Sequence, residues 1–383
     1  MQVLVTGGAG FIGSFLADRL LTTGHQVRLL DNLDPQVHPH GRPSYLAPKT
    51  ELLVGDVRNR QDCTKALEDI DIVVHAAAAV GVAQSLYKVE HYVDVNVRGT
   101  ATLLQCLAER PRLPKLIVLT SMTGYGEGMY RRPSDGRLLR VGIRTEAEIR
   151  RSGWEPVCPE TAERLEPIPT PERATFLARN VYALTKRYQE ELALSLRAVY
   201  NFPVVCLRMF NVYGPRQSLS NPYTGVLAIF LSRLLAGESP VVYEDGGQTR
   251  DFVSVHDVVD AILAAMESSA ADGEVINIGS GVSRRIKDVA RALAEVAGVP
   301  GIEPTITEQF RRGDVRHCAA DTSRASKLLG FVPRVAWTKG LDELVQWCRG
   351  AISMDRFPQA DQELRERGLL TERMDSDGTR RMA

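Results

Sequence analysis

Three glycines spaced three residues apart, Gly7, Gly10 and Gly13, follow a short apolar run at residues 2–5. The residues after them, beginning with Phe11 and Ile12, carry apolar side chains at helical spacing. A strand that turns through glycines into a helix directs free N–H groups and the positive end of the helix dipole at one point, which suits a pyrophosphate. The sequence therefore predicts a phosphate-binding turn, and the alternative is a glycine-rich turn that binds nothing.

An acidic residue, Asp31, ends the next apolar run at residues 26–30. This is the place where a carboxylate can accept hydrogen bonds from the adenosine ribose hydroxyls of a dinucleotide. A carboxylate there repels a 2′-phosphate, and no arginine follows it immediately. We therefore expect NAD rather than NADP as the cofactor, with a solvated loop acid as the alternative for Asp31.

The first half of the chain alternates apolar runs with helical stretches, and the runs lie at residues 2–5, 26–30, 51–54, 71–76 and 115–120. This alternation predicts an α/β fold with a doubly wound parallel sheet, the Rossmann arrangement. Asp56 and Val57 follow the third run, where a carboxylate can meet the adenine amino group. Ala76, Ala77 and Ala78 follow the fourth, where small side chains let a cofactor lie close.

The composition and periodicity of the sequence change along the chain and indicate a division into domains. We expect a Rossmann domain over residues 1–210, which includes an insertion at 128–178 rich in Arg, Pro and Glu that lies over the site. A smaller C-terminal substrate-binding α/β domain is expected over residues 211–350. Residues 351–383 form a charged tail with a helix predicted at 359–370.

Composition excludes several classes of protein. The 383 residues carry 47 Lys and Arg against 47 Asp and Glu, which argues against nucleic acid as a partner. The six cysteines are scattered without a C-x-x-C pair, so we expect reduced thiols, a cytoplasmic location and no metal site. The N-terminus enters a strand at once and no apolar run reaches membrane-spanning length, so we expect neither a signal peptide nor a membrane partner.

A tyrosine and a lysine four residues apart, Tyr182 and Lys186, lie within a helical stretch and so share one face. An ammonium beside a phenol lowers the pKa of the phenol and makes it usable as a base. A hydroxyl at the end of the fifth strand can hydrogen-bond the reacting oxygen, and Ser121 is the candidate, with Thr123 as the second choice. The alternative for the pair is a surface helix contact.

With these residues in place the sequence resembles the extended short-chain dehydrogenase/reductase family, from residue 1 to about residue 345. The resemblance rests on Thr6-Gly7-x-x-Gly10-x-x-Gly13, Asp31, Asp56, Asn96-Val-Arg-Gly99-Thr100, Ser121, Tyr182-x-x-x-Lys186 and Arg208-Met-Phe-Asn211-Val-Tyr-Gly214-Pro215-Arg216. It adds Asn32 and Asn96 to the expected cofactor contacts.

The second half is similar to the nucleotide-sugar 4-epimerases of that family, and the insertion and the loop at 34–38 look closest to the dTDP-L-rhamnose 4-epimerase group. The similarity lies in Ser220-Asn-Pro-Tyr-Thr-Gly-Val226, Glu244-Asp-Gly-Gly-Gln-Thr-Arg250-Asp251-Phe252 and Arg311-Arg-Gly-Asp314. It implies that Thr123 and Val226 contact substrate, that Asp314 takes a ribose hydroxyl, and that Cys318 lies as a gatekeeper beside the sugar.

Two phosphates of a sugar nucleotide need paired donors, and the guanidinium groups of Arg250 and Arg311, with the Asn211 amide, are suited to clamp them. Arg131, Arg132 and Arg144 in the insertion are possible partners of a sugar carboxylate, and surface charge is the alternative for each. Which base and which sugar the substrate carries stays open.

The expected activity is NAD-dependent inversion at C4 of a dTDP- or UDP-linked hexose or 6-deoxyhexose through a transient 4-keto sugar. The resemblance implies that a dehydratase of this family carries Asp-Glu after Ser121 and that a decarboxylase carries Glu there, but this chain has Met122 and Thr123. A net dehydrogenase of the same fold and a non-catalytic NAD-binding regulatory or scaffold protein are the remaining alternatives. The resemblance also implies a homodimer that pairs helices near 88–108 and 181–200.

Overall fold

The computed structural model of the chain describes residues 1–177, 180–217, 225–350 and 357–371. Its strands are β1 (Gln2–Thr6), β2 (Gln26–Asp31), β3 (Glu51–Val54), β4 (Ile72–His75), β5 (Lys115–Ser121), β6 (Met129–Arg131), β7 (Leu138–Arg140), β8 (Glu166–Ile168), β9 (Val204–Met209), β10 (Asn211–Tyr213), β11 (Val241–Val242), β12 (Thr249–Ser254), β13 (Val275–Ile278), β14 (Ser283–Arg285), β15 (Thr305–Ile306) and β16 (His317–Cys318).

Its α-helices are α1 (Phe11–Thr22), α2 (Arg60–Ala66), α3 (Val82–Ser85), α4 (Val89–Tyr92), α5 (Gly99–Ala108), α6 (Glu146–Ser152), α7 (Val181–Tyr200), α8 (Val226–Leu235), α9 (Val255–Glu267), α10 (Ile286–Val296), α11 (Ser323–Leu329), α12 (Trp337–Gly350) and α13 (Phe357–Glu366). A π-helical stretch, Val93–Arg98, joins α4 to α5, and short 3₁₀ turns cover Met122–Tyr125 and Ser269–Ala271.

A parallel sheet dominates the described part of the chain, with spatial order β13-β9-β5-β4-β1-β2-β3. The strand order reverses at β1, because β2 and β3 extend to one side of it while β4 and β5 extend to the other. In register, Thr6 faces Leu30 on one side and His75 on the other, so the carboxyl ends of the strands meet at one edge. The expected doubly wound Rossmann sheet is confirmed, and ligands bind such sheets at this edge.

Two hydrophobic layers cover the sheet. Val3 and Val5 point into a core formed with α1, α9 and α11, while Leu4 between them points into a second core formed with α2, α5 and α7. All three side chains are wholly buried, as the continuous apolar runs of buried parallel strands require.

A smaller unit has its own core, built from α8, α10 and α12 around Phe230, Leu293 and Leu344. Beside it, β12 pairs with β10, β14 and β16. The boundary predicted between residues 210 and 211 needs correction, because the chain returns to the large sheet after it. Strand β13 pairs with β9, and α9 and α11 pack on the core beneath β1.

The insertion predicted at 128–178 is a folded element rather than an irregular lid. Strands β7 and β8 pair antiparallel with β6, and Tyr130, Cys158 and Leu165 form a small buried core behind them. The tail helix predicted at 359–370 is found as α13. It docks on the rest of the molecule, because the Tyr243 hydroxyl donates to Asp361 at 2.9 Å.

Candidate active site

A crevice of about 500 Å³ opens at the carboxyl edge of the large sheet, beside the strand reversal at β1. It collects most of the residues that the sequence singled out. The predicted residues that line it are Gly7, Gly10, Phe11, Ile12, Gly13, Asp31, Asn32, Asp56, Val57, Ala76, Ala77, Ala78, Ser121, Thr123, Tyr182, Lys186, Asn211 and Val226. Segments as far apart as β1 and α8 therefore converge on one site.

The glycine turn has the shape that a bound pyrophosphate needs. Gly7 has φ +67°, and a Cβ there would lie 2.8 Å from the backbone of Ala77. A Cβ at Gly13 would lie 2.5 Å from the Gly7 carbonyl oxygen, so both glycines bring helix and strands together. Gly10 is the N-cap residue of α1 and has no side chain that could accept a hydrogen bond. The N–H groups of the first turn are therefore left directed at the crevice. The cradle fits the phosphates of NAD.

The carboxylate of Asp31 is held in place at the end of β2. It accepts backbone N–H groups from Ala9 at 3.0 Å and Leu33 at 2.9 Å. His38 lies 4.0 Å from it, and burial lowers the pKa of that imidazole in spite of Asp31 and Asp34. A neutral imidazole does not offset the Asp31 carboxylate, which favours a free 2′-hydroxyl over a 2′-phosphate.

Asp56 also lines the crevice, with its oxygens partly used by neighbours. Burial alone would raise its pKa, but hydrogen bonds from Arg58 and Asn32 outweigh burial and hold the pKa at about 2. It is an ionised acceptor, and its contact with the adenine amino group stays a prediction.

Asn96, predicted as a cofactor contact, lies behind the crevice and needs correction. It is wholly buried in the π-helical stretch, where its side chain accepts from the Ala79 N–H at 2.7 Å and donates to the Ala79 carbonyl at 3.0 Å. It also donates to the Thr185 hydroxyl at 2.9 Å. Asn96 thus shapes the loop of small residues and ties it to α7 without facing a ligand.

The three candidate catalytic side chains meet at the inner end of the crevice. Asn180 caps α7 by accepting from the Ala183 N–H, and this cap fixes the helix start that places Tyr182 and Lys186 one turn apart. Ser121, at the end of β5, hydrogen-bonds the Tyr182 hydroxyl. The Thr123 hydroxyl donates to Ser121 at 3.0 Å.

The expected depression of the Tyr182 pKa by Lys186 is wrong for the described residues of the chain. Burial raises the pKa of Tyr182 to about 12, and only the Ser121 hydrogen bond opposes that rise. Lys186 directs its ammonium at the Leu119 carbonyl and at Gln189. Burial lowers the pKa of Lys186 to about 7. A further positive charge at the crevice would lower the pKa of Tyr182 and favour loss of its proton.

The predicted phosphate-clamping arginines are brought together, but outside the crevice walls. Arg250 donates to one oxygen of Asp314 at 2.9 Å and Arg311 donates to the other at 3.0 Å. Burial of Asp314 would raise its pKa, and the two guanidinium groups outweigh that effect and lower it. The oxygens expected to meet a ribose hydroxyl are thus occupied by the arginines.

Two other predicted substrate contacts differ in their placement. The Oδ1 atom of Asn211 is buried and has no hydrogen-bond partner within the described residues, which marks it as an acceptor for a ligand. Cys318 is only 2% exposed and packs with Met122 and Phe210, so it backs the crevice wall rather than fronting it. The segment Ser220–Thr224 lies outside the described residues.

The three candidate arginines of the insertion are paired with carboxylates of the chain in this structure, and their contact with a sugar carboxylate stays a prediction. Arg131 pairs with Glu166 at the surface, and Arg132, whose side chain is 12% exposed, pairs with Asp135. Arg144 is buried and pairs with Glu244 at 2.8 Å and Glu127 at 3.4 Å. Arg316, only 1% exposed, joins the same cluster through Glu244, Asp245 and Glu155. The sequence analysis missed this buried cluster, which fastens the insertion to the smaller unit.

Comparison with known proteins identifies the family. The model of the NAD dependent epimerase/dehydratase family matches residues 3–141 and 157–279. The chain belongs to this family. Its NAD dependence agrees with the glycine turn and with Asp31.

Relatives with named activities cover almost the whole chain. A dTDP-L-rhamnose 4-epimerase of Burkholderia thailandensis is 39% identical over 356 residues, 90% of this chain and 94% of the relative. A UDP-glucose 4-epimerase of Mycolicibacterium smegmatis is 33% identical over 353 residues, 91% of this chain and 99% of the relative.

Among solved structures, a UDP-glucuronic acid 4-epimerase from Bacillus cereus, in complex with UDP-glucuronic acid and NAD, superposes with a TM-score of 0.72 at 29% identity. The match covers 91% of this chain and 99% of that chain. Within the described residues of the present member, no helix is long and apolar enough to cross a bilayer, and no cluster of three or more His, Cys, Asp or Glu side chains could hold a metal ion.

Proposed function

We propose that this epimerase-family member inverts the configuration at C4 of a sugar linked to a nucleoside diphosphate, through a 4-keto sugar. The observation that carries the proposal is the meeting of Ser121, Tyr182 and Lys186 in the crevice that begins at the glycine turn. The relatives named above support C4 of a dTDP- or UDP-linked sugar as the reacting centre.

The residues of this chain divide the work between proton transfer and positioning. NAD bound in the glycine cradle would supply the oxidant for C4 and a positive charge that lowers the pKa of Tyr182. Tyr182 takes the proton of the 4-hydroxyl and returns it after inversion, and Ser121 hydrogen-bonds the same oxygen. The water-poor site, in which Tyr182 is 8% exposed, protects the keto sugar from side reactions.

The anchoring groups lie away from the reacting carbon, as inversion within one pocket requires. The sugar must turn over between oxidation and reduction, so it cannot be gripped tightly itself. Arg250 and Arg311 are suited to hold the diphosphate when its oxygens replace those of Asp314 as hydrogen-bond acceptors. Asn211 offers an oxygen without a hydrogen-bond partner among the described residues, on the crevice wall. A fixed diphosphate keeps the intermediate at high effective concentration while it rotates.

Elimination of water is the rival reaction for the same fold, and the residues after Ser121 disfavour it. Dehydration needs an acid and a base beside the reacting carbons. Met122 and Thr123 occupy those positions on the crevice wall, and neither titrates in the useful range.

We further propose a cytoplasmic homodimer. Val89, Val93, Leu184 and Tyr188 are each more than 40% exposed, and they lie at i, i+4 spacing on two neighbouring helical segments. Exposed apolar side chains that share a face are typical of an interface. All six cysteines are free and buried, which suits a reducing compartment.

The direct test is incubation of the purified protein with a panel of dTDP- and UDP-sugars, with C4 configuration followed by NMR. We expect inversion of at least one member without added NAD, since the cofactor is regenerated in each cycle. Tyr182→Phe should lower kcat by about 10²–10⁴-fold while NAD stays bound. Tyr200→Phe, an exposed tyrosine on the same helix, is the matched control and should be fully active. Turnover by Tyr182→Phe at the wild-type rate would refute the assignment.

A further inference from the structure

The geometry points to Gln189 as the positioning residue that holds the Lys186 ammonium and sets the pH range in which the site works. This inference deepens the proposed function and rests on it for the kinetic part of its test. Gln189 lies one helical turn beyond Lys186 on α7, is 1% exposed, and is absent from the lining of the crevice. Its effect on the reaction would therefore be exerted through Lys186.

The ammonium of Lys186 is buried against neutral acceptors. It donates to the Gln189 Oε1 atom at 2.6 Å and to the Leu119 carbonyl at 2.7 Å. An ammonium has three protons, so two are committed to the protein and one is left for a ligand in the crevice. No carboxylate bonds to this ammonium in the described part of the chain, so an amide oxygen and a carbonyl carry the cost of its burial.

Gln189 is itself held in one orientation by a directed chain of hydrogen bonds. Its amide group donates to the Thr100 hydroxyl at 2.7 Å, so its oxygen faces the lysine. The Thr100 hydroxyl uses its own proton on the Asn96 carbonyl at 2.6 Å and must accept from Gln189. A flipped amide would point two donors at an ammonium and two acceptors at each other, which is unfavourable.

His75 completes the chain at the end of β4. Its Nε2 atom lies 2.8 Å from the Thr100 hydroxyl, and its Nδ1 atom lies 2.7 Å from the hydroxyl of Thr6, the residue before the glycine turn. One assignment satisfies both of these bonds, with Nε2–H donating to Thr100 and Nδ1 accepting from Thr6. Burial, with the Lys186 charge as a smaller cause, lowers the pKa of His75 to about 3, so this imidazole stays neutral.

Few charged groups face Lys186, so the hydrogen bond to Gln189 has a large effect on the pKa of Lys186. The Lys186 charge acts on the neutral His75 of β4, and Tyr182 lies one turn before Lys186 on the same helix. Glu190, the next residue along α7, is turned to Arg208 at 2.6 Å instead. Replacing the Gln189 amide should therefore move the titration of Lys186 in a direction set by what replaces it.

Two isosteric variants should move that titration in opposite directions. Gln189→Leu removes an acceptor from a buried ammonium, destabilises the charged form, and should lower the pKa of Lys186. Gln189→Glu puts a carboxylate beside the ammonium and should raise it. Because the ammonium is needed for turnover, the alkaline limb of the kcat profile should move to lower pH in Gln189→Leu and to higher pH in Gln189→Glu, by about one pH unit each.

The test measures kcat and KM against pH for both variants and, independently of activity, titrates the side-chain ¹⁵N signal of Lys186 in the NAD-bound protein. We expect Gln189→Leu to lose about 10–100-fold in kcat near neutral pH, as for a lost hydrogen bond to a charged group, with KM within about three-fold. Gln346→Leu, the same change at an exposed glutamine of α12 that bonds to Asp342 at 2.6 Å and does not line the crevice, is the control and should keep the wild-type profile.

The outcomes separate this inference from the proposed function. Opposite shifts of the Lys186 signal without any C4 inversion by the wild-type protein would overturn the proposed function alone. Unchanged profiles in both Gln189 variants, or shifts of the same sign in both and in Gln346→Leu, would overturn the positioning role. If Gln189→Leu does not fold, the upward shift expected of Gln189→Glu decides the matter, and its absence contradicts the inference.

Discussion

At the scale of single residues, a variant of Arg250 can show whether substrate binding and cofactor binding depend on different residues. Arg250 donates a hydrogen bond to Asp314 at 2.9 Å and does not line the crevice that begins at the glycine turn. In a Tyr182→Phe background, Arg250→Ala should weaken nucleotide-sugar binding by about 1.5–3 kcal/mol, the value of a charged hydrogen bond. Isothermal titration calorimetry measures this loss.

The control for Arg250 is Arg187→Ala, an exposed arginine that pairs with Glu191 on α7. It should leave the dissociation constant unchanged, and neither variant should lower the NAD content. An unaltered dissociation constant in Arg250→Ala would remove this arginine from the phosphate clamp.

At the scale of elements, the turn from β1 into α1 should tolerate no side chain at Gly7. Gly7 and Gly24 both have positive φ, +67° and +81°, but a Cβ at Gly24 meets nothing within 4 Å. Gly24→Ala should therefore cost only the left-handed strain of about 1–2 kcal/mol, and Gly7→Ala about 2–5 kcal/mol through added overpacking against Ala77.

Urea unfolding of the two glycine variants gives the comparison, and NAD content gives a second reading. Gly7→Ala should lose bound NAD and Gly24→Ala should keep it. Equal losses of stability and full retention of NAD in both would contradict the close-packed cradle.

The insertion depends on buried charge, and a second pair of variants tests that dependence. Arg316 is 1% exposed and balances Glu155, Glu244 and Asp245, so Arg316→Met should cost about 3–5 kcal/mol by leaving carboxylates unpaired. Arg131→Met breaks an exposed pair with Glu166 and should cost less than about 1 kcal/mol. Similar unfolding free energies for the two variants would show that the cluster does not fasten the insertion.

At the scale of the whole molecule, the exposed apolar face of α4 and α7 predicts the oligomeric state. Sedimentation velocity should give the mass of a dimer for the wild-type protein. Tyr188→Glu should shift it to monomer, because a charge at an apolar contact loses its hydration without gaining a partner. Tyr200→Glu, on the same helix and similarly exposed, should stay dimeric. A monomeric wild-type protein would contradict the proposed assembly.

Five of the seven strands of the large sheet, β1 to β5, were predictable from sequence because they form short apolar runs that alternate with helical stretches. The glycine turn, Asp31 and the Tyr182–Lys186 spacing were predictable because each follows from local geometry along the chain. The secondary structure of the insertion was not predicted from the sequence. Thr145-x-x-Glu148 is a capping-box signal that could have shown it, because α6 begins with that box.

Other features depend on contacts between distant segments and left no local signal. Asn96 falls in a matching motif, and the resemblance implied a gatekeeper role for Cys318. Packing turns Asn96 toward the Ala79 loop and places Cys318 behind Met122. The raised pKa of Tyr182 follows from burial, which spacing cannot reveal. Gln189 stands three residues after Lys186, but its role depends on Thr100 and His75 from other elements.

The central claim is that one tyrosine-based site oxidises and then reduces the same sugar carbon without releasing the intermediate. The measurement that tests it most directly is the fate of deuterium placed at C4 of a nucleotide sugar that the protein turns over. The account predicts that the inverted product keeps the deuterium at C4 and that no reduced cofactor accumulates. Loss of the label to solvent, or accumulation of NADH in proportion to substrate, would contradict it.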